Sequence, residues 1–141
     1  MKIHLKRGEK IYINGAVIAV EQKCSIKLLN NVTFLLENHV MQSDMAKTPF
    51  EQLYFVLQTM LLDPENEALT RQMYWHLSDS LLFVLQSSDL IDGLKKSDEL
   101  VKCQRYFDAL KILRELFPIE RSAMKAETRN DETLNHEKAV A

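Results

Sequence analysis

The chain has 141 residues, of which 46% are hydrophobic, and a formal net charge of −2. This length predicts one compact domain with at most a tail, and the apolar share is enough for a core. No apolar run reaches the roughly 18 residues of a membrane helix, and Met1-Lys2-Ile3-His4 does not open a secretory signal. We therefore expect a cytosolic protein that makes no membrane contact.

The charges are unevenly distributed along the chain. Residues 1–40 hold six Lys/Arg and three Asp/Glu, a balance of +3, whereas residues 41–141 hold twelve and seventeen, a balance of −5. A basic head on an acidic body indicates an anionic partner for the head, or no more than a solvated face.

Residues 2–37 read as antiparallel β-hairpins. Ile3 and Leu5 alternate with Lys2 and His4, the period of a half-buried strand. The dipeptide Asn14-Gly15 joins two apolar runs and predicts a two-residue turn, since type I′ turns need positive φ at both central residues. A second hairpin is predicted around Asn30-Asn31.

The first hairpin turn also fixes a register. It pairs Ile13 with Ala16, Tyr12 with Val17 and Ile11 with Ile18. Partners across a ladder share a face, so we expect one apolar patch that covers the helices. The predicted patch consists of Ile11, Ile13, Ala16 and Ile18, and the opposite face carries Lys10, Tyr12, Val17 and Ala19. The second hairpin would pair Cys24–Leu29 with Val32–Glu37.

From residue 48 the pattern becomes helical. Thr48-Pro49-Phe50-Glu51 predicts a capping box with proline at the first helical position, and Asp63-Pro64 ends that helix. A second helix runs from Glu65 to Gln86. A last helix reaches about Phe117 and ends at Pro118, with Gly93 as a candidate point of division.

Each helix has a predicted buried stripe. The stripe of the first helix is Phe50, Leu53, Leu57, Met60 and Leu61; that of the second is Leu69, Met73, Leu77, Leu81 and Val84; that of the last is Leu100, Cys103, Phe107, Leu110 and Phe117. After Arg121 no stripe remains, so residues 122–141 are predicted to be a disordered tail. The fold class is α+β: one domain over residues 1–121, with a basic β part (2–40) and a helical part (48–118).

No enzymatic, metal or cofactor site is expected. The three glycines are scattered, so there is no phosphate-binding loop, and the four histidines are not at ligand spacing. Cys24 and Cys103 lie far apart without a CxxC motif, which favours reduced packing residues over a disulfide, a metal site or a catalytic thiol.

Two surfaces are candidates for binding. The first is the basic strand face, where Lys and Arg attract phosphates and Tyr12 offers one stacking platform; the alternative is a solvated edge. Its members are Lys2, His4, Lys6, Arg7, Lys10, Tyr12, Lys23 and Lys27. The second surface is the far side of the first helix, where Phe55 and Leu62 are either sandwiched in the core or dock a partner, including a second copy of the chain.

The order of several segments resembles the FlbT family of bacterial flagellin regulators, over residues 3–121. These segments are LKRGEKIYINGAV, FLLENHVMQ, TPFEQLYFVLQTMLLDPE and RYFDALKILRELFPIE. The resemblance implies a post-transcriptional regulator that associates with the 5′ untranslated region of flagellin mRNA, lowers its translation and promotes its degradation. Some relatives are similar to activators, and the family works with a second small flagellar protein, FlaF, of opposing effect.

Leu5-Lys6-Arg7-Gly8-Glu9 with Ile11 and Ile13 also looks like the opening of the carbon-storage regulator family. Those proteins bind 5′ leader RNA through basic residues of their first strand, although here Arg7 stands directly before Gly8, one residue shorter than that pattern. The likeness favours Lys6 and Arg7 for RNA contact. Two functions remain open: an RNA-binding translational regulator, or a protein-interaction adaptor that affects the mRNA indirectly through FlaF or flagellin.

Overall fold

The computed structural model describes the backbone of residues 1–140 and the side-chain surroundings of residues 1–128. Antiparallel strands precede a helical part, which confirms the predicted fold class. The strands are β1 (Lys2–Leu5), β2 (Lys10–Ile13), β3 (Ala16–Ala19), β4 (Cys24–Lys27) and β5 (Phe34–Leu36). The helices are α1 (Pro49–Leu62), α2 (Glu67–Val84), α3 (Ser88–Lys102) and α4 (Tyr106–Val140). Within the described chain, no helix has both the length and the apolarity of a membrane span.

The first hairpin forms in the predicted register. β2 pairs with β3 through Ile13–Ala16, Tyr12–Val17 and Ile11–Ile18. Asn14 and Gly15 have φ values of 48° and 84°, as a type I′ turn requires. The local turn residues therefore determine this part of the sheet.

The prediction that Cys24–Leu29 pairs with Val32–Glu37 in a second hairpin was wrong. Both of its strands exist, but β4 pairs with β1 and β5 pairs with β2, which gives a two-stranded sheet and a three-stranded sheet of order β3-β2-β5. The reason lies in the turn, because neither Asn30 nor Asn31 adopts positive φ and so no tight primed turn forms.

The two sheets and the helices are stacked in layers. Ile3 and Leu5 of β1 are buried together with Ile11 of β2 in a small apolar cluster between the sheets. The opposite face of the three-stranded sheet presents Tyr12 and Leu35 to the main core, which the helices form. The predicted apolar patch around Ile11 was therefore assigned to the wrong neighbour: it meets β1, and the Tyr12 face meets the helices.

Helix α1 follows its predicted pattern. The Thr48 hydroxyl accepts a hydrogen bond from the Glu51 N–H, the Glu51 carboxylate accepts from the Thr48 N–H, and the helix ends at Asp63. Its predicted stripe is buried except Leu61, which is half-buried. Capping and periodicity together place this helix at the centre of the core.

The predicted stripe of α2 was wrong at three positions, since Leu69, Met73 and Val84 are exposed. Its buried residues are Thr70, Tyr74, Ser78 and Leu81. A different face of α2 is buried from the one predicted, because two of its buried hydroxyls have a partner on α3: Tyr74 and Ser78 both donate to Asp98, at 2.8 and 2.7 Å. A polar group that is hydrogen-bonded can be buried at little net cost.

The last predicted helix is two helices, and it does not break at Gly93. Gly93 lies inside α3, where an added Cβ would stand 2.4 Å from the Leu116 side chain of α4. The break comes at Gln104, which has φ of 59°. Cys103 caps α3 and is exposed, as is Cys24, so the prediction of two packing cysteines was wrong.

Helix α4 does not end at Pro118. The proline lies inside the helix, which continues through Val140. The helix tolerates the proline because buried side chains fix it on both sides, at Leu116 and Glu120. Residue 141 and the side chains of the tail beyond residue 128 lie outside the described residues.

Candidate nucleic-acid interface

The outer face of β1 and β4 carries most of the predicted basic residues. Lys2 stands directly opposite Lys27, and His4 opposite Ser25. Continued one position beyond the ladder, the same register places Lys6 opposite Lys23. All of these residues are exposed, as is Arg7. We call the set Lys2, His4, Lys6, Arg7, Lys23 and Lys27 the basic ribbon.

The register brings the charged side chains of the ribbon close together. The Leu28 N–H donates to the Met1 carbonyl at 2.9 Å, which makes that pair hydrogen-bonded and the next pair, Lys2–Lys27, non-hydrogen-bonded. Non-hydrogen-bonded pairs have the shorter Cα separation, about 4.5 Å, and the closest side chains. Like charges directly opposite each other destabilise a ladder, so this arrangement favours an anionic ligand.

Within the described residues, the cationic side chains of the ribbon form no ion pairs with carboxylates of the same chain. In residues 1–128 the ion pairs are Lys102–Glu99 and Arg105–Asp108, both on the helices. Of the two carboxylates nearest in sequence, Glu9 accepts a hydrogen bond from the backbone N–H of Lys6 at 2.9 Å, and Glu21 makes no ion pair within residues 1–128. The ribbon therefore presents its positive charge to solvent.

His4 is held in place on the ribbon. Its Nδ1 lies 2.7 Å from the Ser25 hydroxyl oxygen, directly across the ladder. This contact orders the imidazole between the two lysine pairs. Residues 1–128 contain no group of three His, Cys, Asp or Glu side chains that could bind a metal ion.

Lys10 and Tyr12 do not lie on the ribbon. They belong to β2 in the other sheet, and Tyr12 is half-buried against the helical core. Phe34, the other aromatic residue of the β part, is also half-buried, with its ring centroid 5.6 Å from that of Phe107. The ribbon thus offers cations without an aromatic stacking platform.

The second predicted surface, on the far side of α1, is partly buried. Phe55 is half-buried, and Leu62 packs against the main core. The exposed apolar end of the helical part lies instead at the end of α2, where Phe83 is 91% exposed and Val84 65%. The apolar periodicity of α2 gives no sign of this surface, because it places Val84 on the buried stripe.

A second basic site was also missed. Arg114 and Arg121, seven residues apart on α4, line a groove of about 470 Å³ beside His39. The Arg114 guanidinium donates to the Tyr54 hydroxyl at 2.9 Å, which in turn donates to the His39 carbonyl. Burial, followed by the positive charge of Arg114, lowers the pKa of His39. The Arg114 side chain therefore stabilises the packing of α1 against α4. In the sequence, the signal for this site was the i, i+7 spacing of Arg114 and Arg121.

Comparison with known proteins gives one consistent result. The family model described as "Flagellar protein FlbT" matches residues 1–124. A Bradyrhizobium diazoefficiens protein named "Probable flagellum biosynthesis repressor protein FlbT 2" is 46% identical over 124 residues, 88% of this chain and 91% of that protein.

Similarly named proteins, without the final numeral, occur in two other bacteria. The protein of a Chelativorans species is 43% identical, over 94% of this chain and 92% of its own length. That of Agrobacterium fabrum is 42% identical, over 95% and 90%. No solved structure matches the chain. The family match and these identities establish that the chain belongs to the FlbT family.

Proposed function

We propose that this protein represses flagellum biosynthesis by binding the 5′ untranslated region of flagellin mRNA through the basic ribbon. The regulatory role is supported by the relatives, which are named as probable flagellum biosynthesis repressors. The observation that carries the RNA contact is the Lys2–Lys27 pair, two like charges held opposite each other without an internal counter-ion in residues 1–128.

The chemistry of the ribbon favours phosphates over bases. Lysine and arginine attract the backbone of any RNA, whereas proteins that read single-stranded bases add aromatic platforms. Tyr12 is turned toward the helices, so stacking is not available on this face. Sequence preference would then come from the shape of the leader rather than from base stacking.

Repression needs no catalytic residue in this scheme. A protein bound across the ribosome-binding region excludes the ribosome, and the untranslated message is then exposed to nucleases. A FlaF-type protein of opposing effect would act by competing for the leader or for this protein. A reporter fused to the flagellin leader shows whether the protein represses or activates translation, since a repressor lowers reporter translation and an activator raises it.

The first experiment measures direct binding and its salt dependence. Fluorescence anisotropy of the labelled flagellin leader is followed as the purified full-length protein is added at two salt concentrations. If the five Lys and Arg of the ribbon each neutralise one phosphate, log K changes with log[salt] by about −3.5, or about 100-fold between 50 and 200 mM. Binding that is absent, or independent of salt, contradicts the proposal.

The second experiment locates the site by charge reversal. Lys6→Glu with Arg7→Glu is expected to lower the salt slope to about −2 and to abolish binding at moderate salt. The control is Lys95→Glu with Lys96→Glu, two adjacent exposed lysines on α3 that make the same change in net charge. Both double variants should melt close to the wild type, because surface substitutions change stability little. Equal binding by the two variants would exclude the ribbon as the site.

A second function, the protein-interaction adaptor, is favoured by the apolar end of α2. Val84 lines a groove of about 330 Å³ together with Leu81, Leu90 and Met124. The adjacent residue, Phe83, is exposed. An exposed apolar patch of this kind is typical of protein docking. If purified protein fails to bind the leader while Phe83→Asp abolishes repression in cells, the adaptor replaces the direct mechanism.

A further inference from the structure

Strand β3 is an edge strand without the usual protection. Within the described backbone (residues 1–140) it pairs with β2 alone, and all four of its residues are exposed, with Val17 at 60% and Ile18 at 44%. Natural edge strands are normally blunted by lysine, proline or an inward-pointing charge. The stretch Ala16–Val20 has none of these, since it reads AVIAV.

The hydrogen-bond pattern shows which backbone groups face outward. The residues that flank a two-residue turn form a hydrogen-bonded pair, so Ala16 bonds inward to Ile13. Val20 also bonds inward, because its carbonyl accepts from the Gly8 N–H at 2.8 Å. By alternation, Val17 and Ala19 direct their N–H and carbonyl groups to the open edge.

We propose that this edge pairs with the same edge of a second copy, which makes the protein a two-fold symmetric dimer. Pairs in an antiparallel ladder share a face, so a two-fold axis through the sheet must relate residues of equal parity. Pairing Val17 with Ala19 of the second copy centres the axis on Ile18. This register pairs the apolar residues 16–20 of one copy with the same five residues of the other. Val17 and Ala19 of the two copies then form four main-chain hydrogen bonds.

This register continues the cluster between the two sheets. In one chain Leu36, Ile11 and Ile18 follow each other across the three strands. Ile11 is completely buried, whereas Ile18 at the edge is not. In the dimer, Ile18 of each copy lies against the other, and the row becomes continuous across six strands. A second copy therefore completes an apolar row that one chain leaves open.

A second copy fits this edge better than RNA or a charged partner does. The segment from Asn14 to Val20 carries no charge, and its self-pairing leaves no charged group buried. The outward main-chain groups of Val17 and Ala19 complement each other only when the partner strand repeats the same spacing. An antiparallel copy of β3 meets that requirement by symmetry.

The test is the oligomeric state of the full chain. Because a single strand pair lies at the small end of interface size, we expect a monomer–dimer equilibrium with a dissociation constant of about micromolar. Sedimentation equilibrium between about 1 and 200 µM covers that range. A chain that remains monomeric throughout overturns the proposal.

Two variants break the edge by different means. Ile18→Lys puts two ammonium groups opposite each other on the axis, and Ala19→Pro removes an outward N–H without touching an inward bond. Each is expected to raise the dimer dissociation constant about tenfold or more. Circular dichroism confirms that each variant is folded, and the two together protect the test against one misfolded protein.

The matched control is Phe83→Lys, since Phe83 is the most exposed large apolar side chain on the helices up to residue 128. It is expected to leave the dimer intact. A dimer that survives both edge variants, or one that is lost on Phe83→Lys, overturns the proposal and assigns the interface to another surface.

Discussion

Replacing Lys27 by glutamate is expected to strengthen the fold and weaken RNA binding. Lys27 and Lys2 face each other in the non-hydrogen-bonded pair of the β1–β4 ladder. If the two ammonium groups lie about 7 Å apart in water, Coulomb's law gives a repulsion of about 0.6 kcal/mol. Lys27→Glu replaces this repulsion by a similar attraction, so the gain in stability is about 1 kcal/mol at low salt.

The assay measures both quantities on one protein. Urea unfolding and hydrogen exchange of the β1–β4 amides report stability, and leader anisotropy reports binding. The gain in stability should vanish at about 1 M salt, where the Debye length is about 3 Å. Lys27→Gln removes the repulsion without adding an attraction, so it should lie between wild type and Lys27→Glu in both measurements.

Two outcomes would refute this reasoning. A Lys27→Glu protein that is less stable at low salt would show that the two lysines do not repel each other. A more stable protein that binds the leader as tightly as wild type would remove the ribbon from the RNA interface. Opposite changes in stability and function are common where charge is retained for binding.

Three further predictions concern the helical part. Glu120→Gln should destabilise by about 1–2 kcal/mol, because Glu120 accepts hydrogen bonds from the Thr48 hydroxyl and the Phe50 N–H at the start of α1; the exposed Glu115→Gln is the control in thermal melts. Gly93→Ala should cost about 1–3 kcal/mol by overpacking, and adding Leu116→Ala should make the two costs less than additive in urea unfolding. Burial raises the pKa of Asp98 above its usual 3.8, so the folded state binds this proton more tightly than the unfolded state does. The stability of wild type relative to Asp98→Asn should therefore be highest below pH 3.8 and fall as the pH rises through the raised pKa; a rising difference in melting temperature would contradict this.

Elements with local signals could be predicted from the sequence. Asn14-Gly15 requires positive φ and gave the register of β2 and β3, and Thr48-Pro49 with Glu51 gave the start of α1. In each case the determining contacts join residues at most nine positions apart. No partner elsewhere in the fold is needed to interpret such a signal.

The errors share a different cause, which is pairing over long distances in sequence. The paired residues of β1 and β4 lie 19 to 25 positions apart in the chain, and no turn between them signals the pairing. The buried face of α2 depends on Asp98 in another helix, since Tyr74 and Ser78 are buried only where that carboxylate accepts their hydrogen bonds. Apolar periodicity alone cannot reveal buried polar groups of two helices that hydrogen-bond to each other.

The candidate site shows both cases. Alternation along β1 was enough to place Lys2 and His4 on one exposed face. The addition of Lys27 to that face required the β1–β4 register, which no local pattern contained. Lys10 and Tyr12 were grouped with the ribbon by proximity in sequence, although they lie in the other sheet.

The layered arrangement separates the charge of the ribbon from the stability of the helices. The ribbon is anchored by Ile3 and Leu5 against Ile11, and the three-stranded sheet lies between this cluster and the main core. The outer lysines contact neither cluster. The ribbon can therefore carry the charge that a ligand requires. The loss in the free energy of unfolding is limited to the repulsion between like charges in the β1–β4 ladder. A charge reversal on this face should accordingly alter RNA binding and leave the protection of the buried α1 amides against hydrogen exchange unchanged.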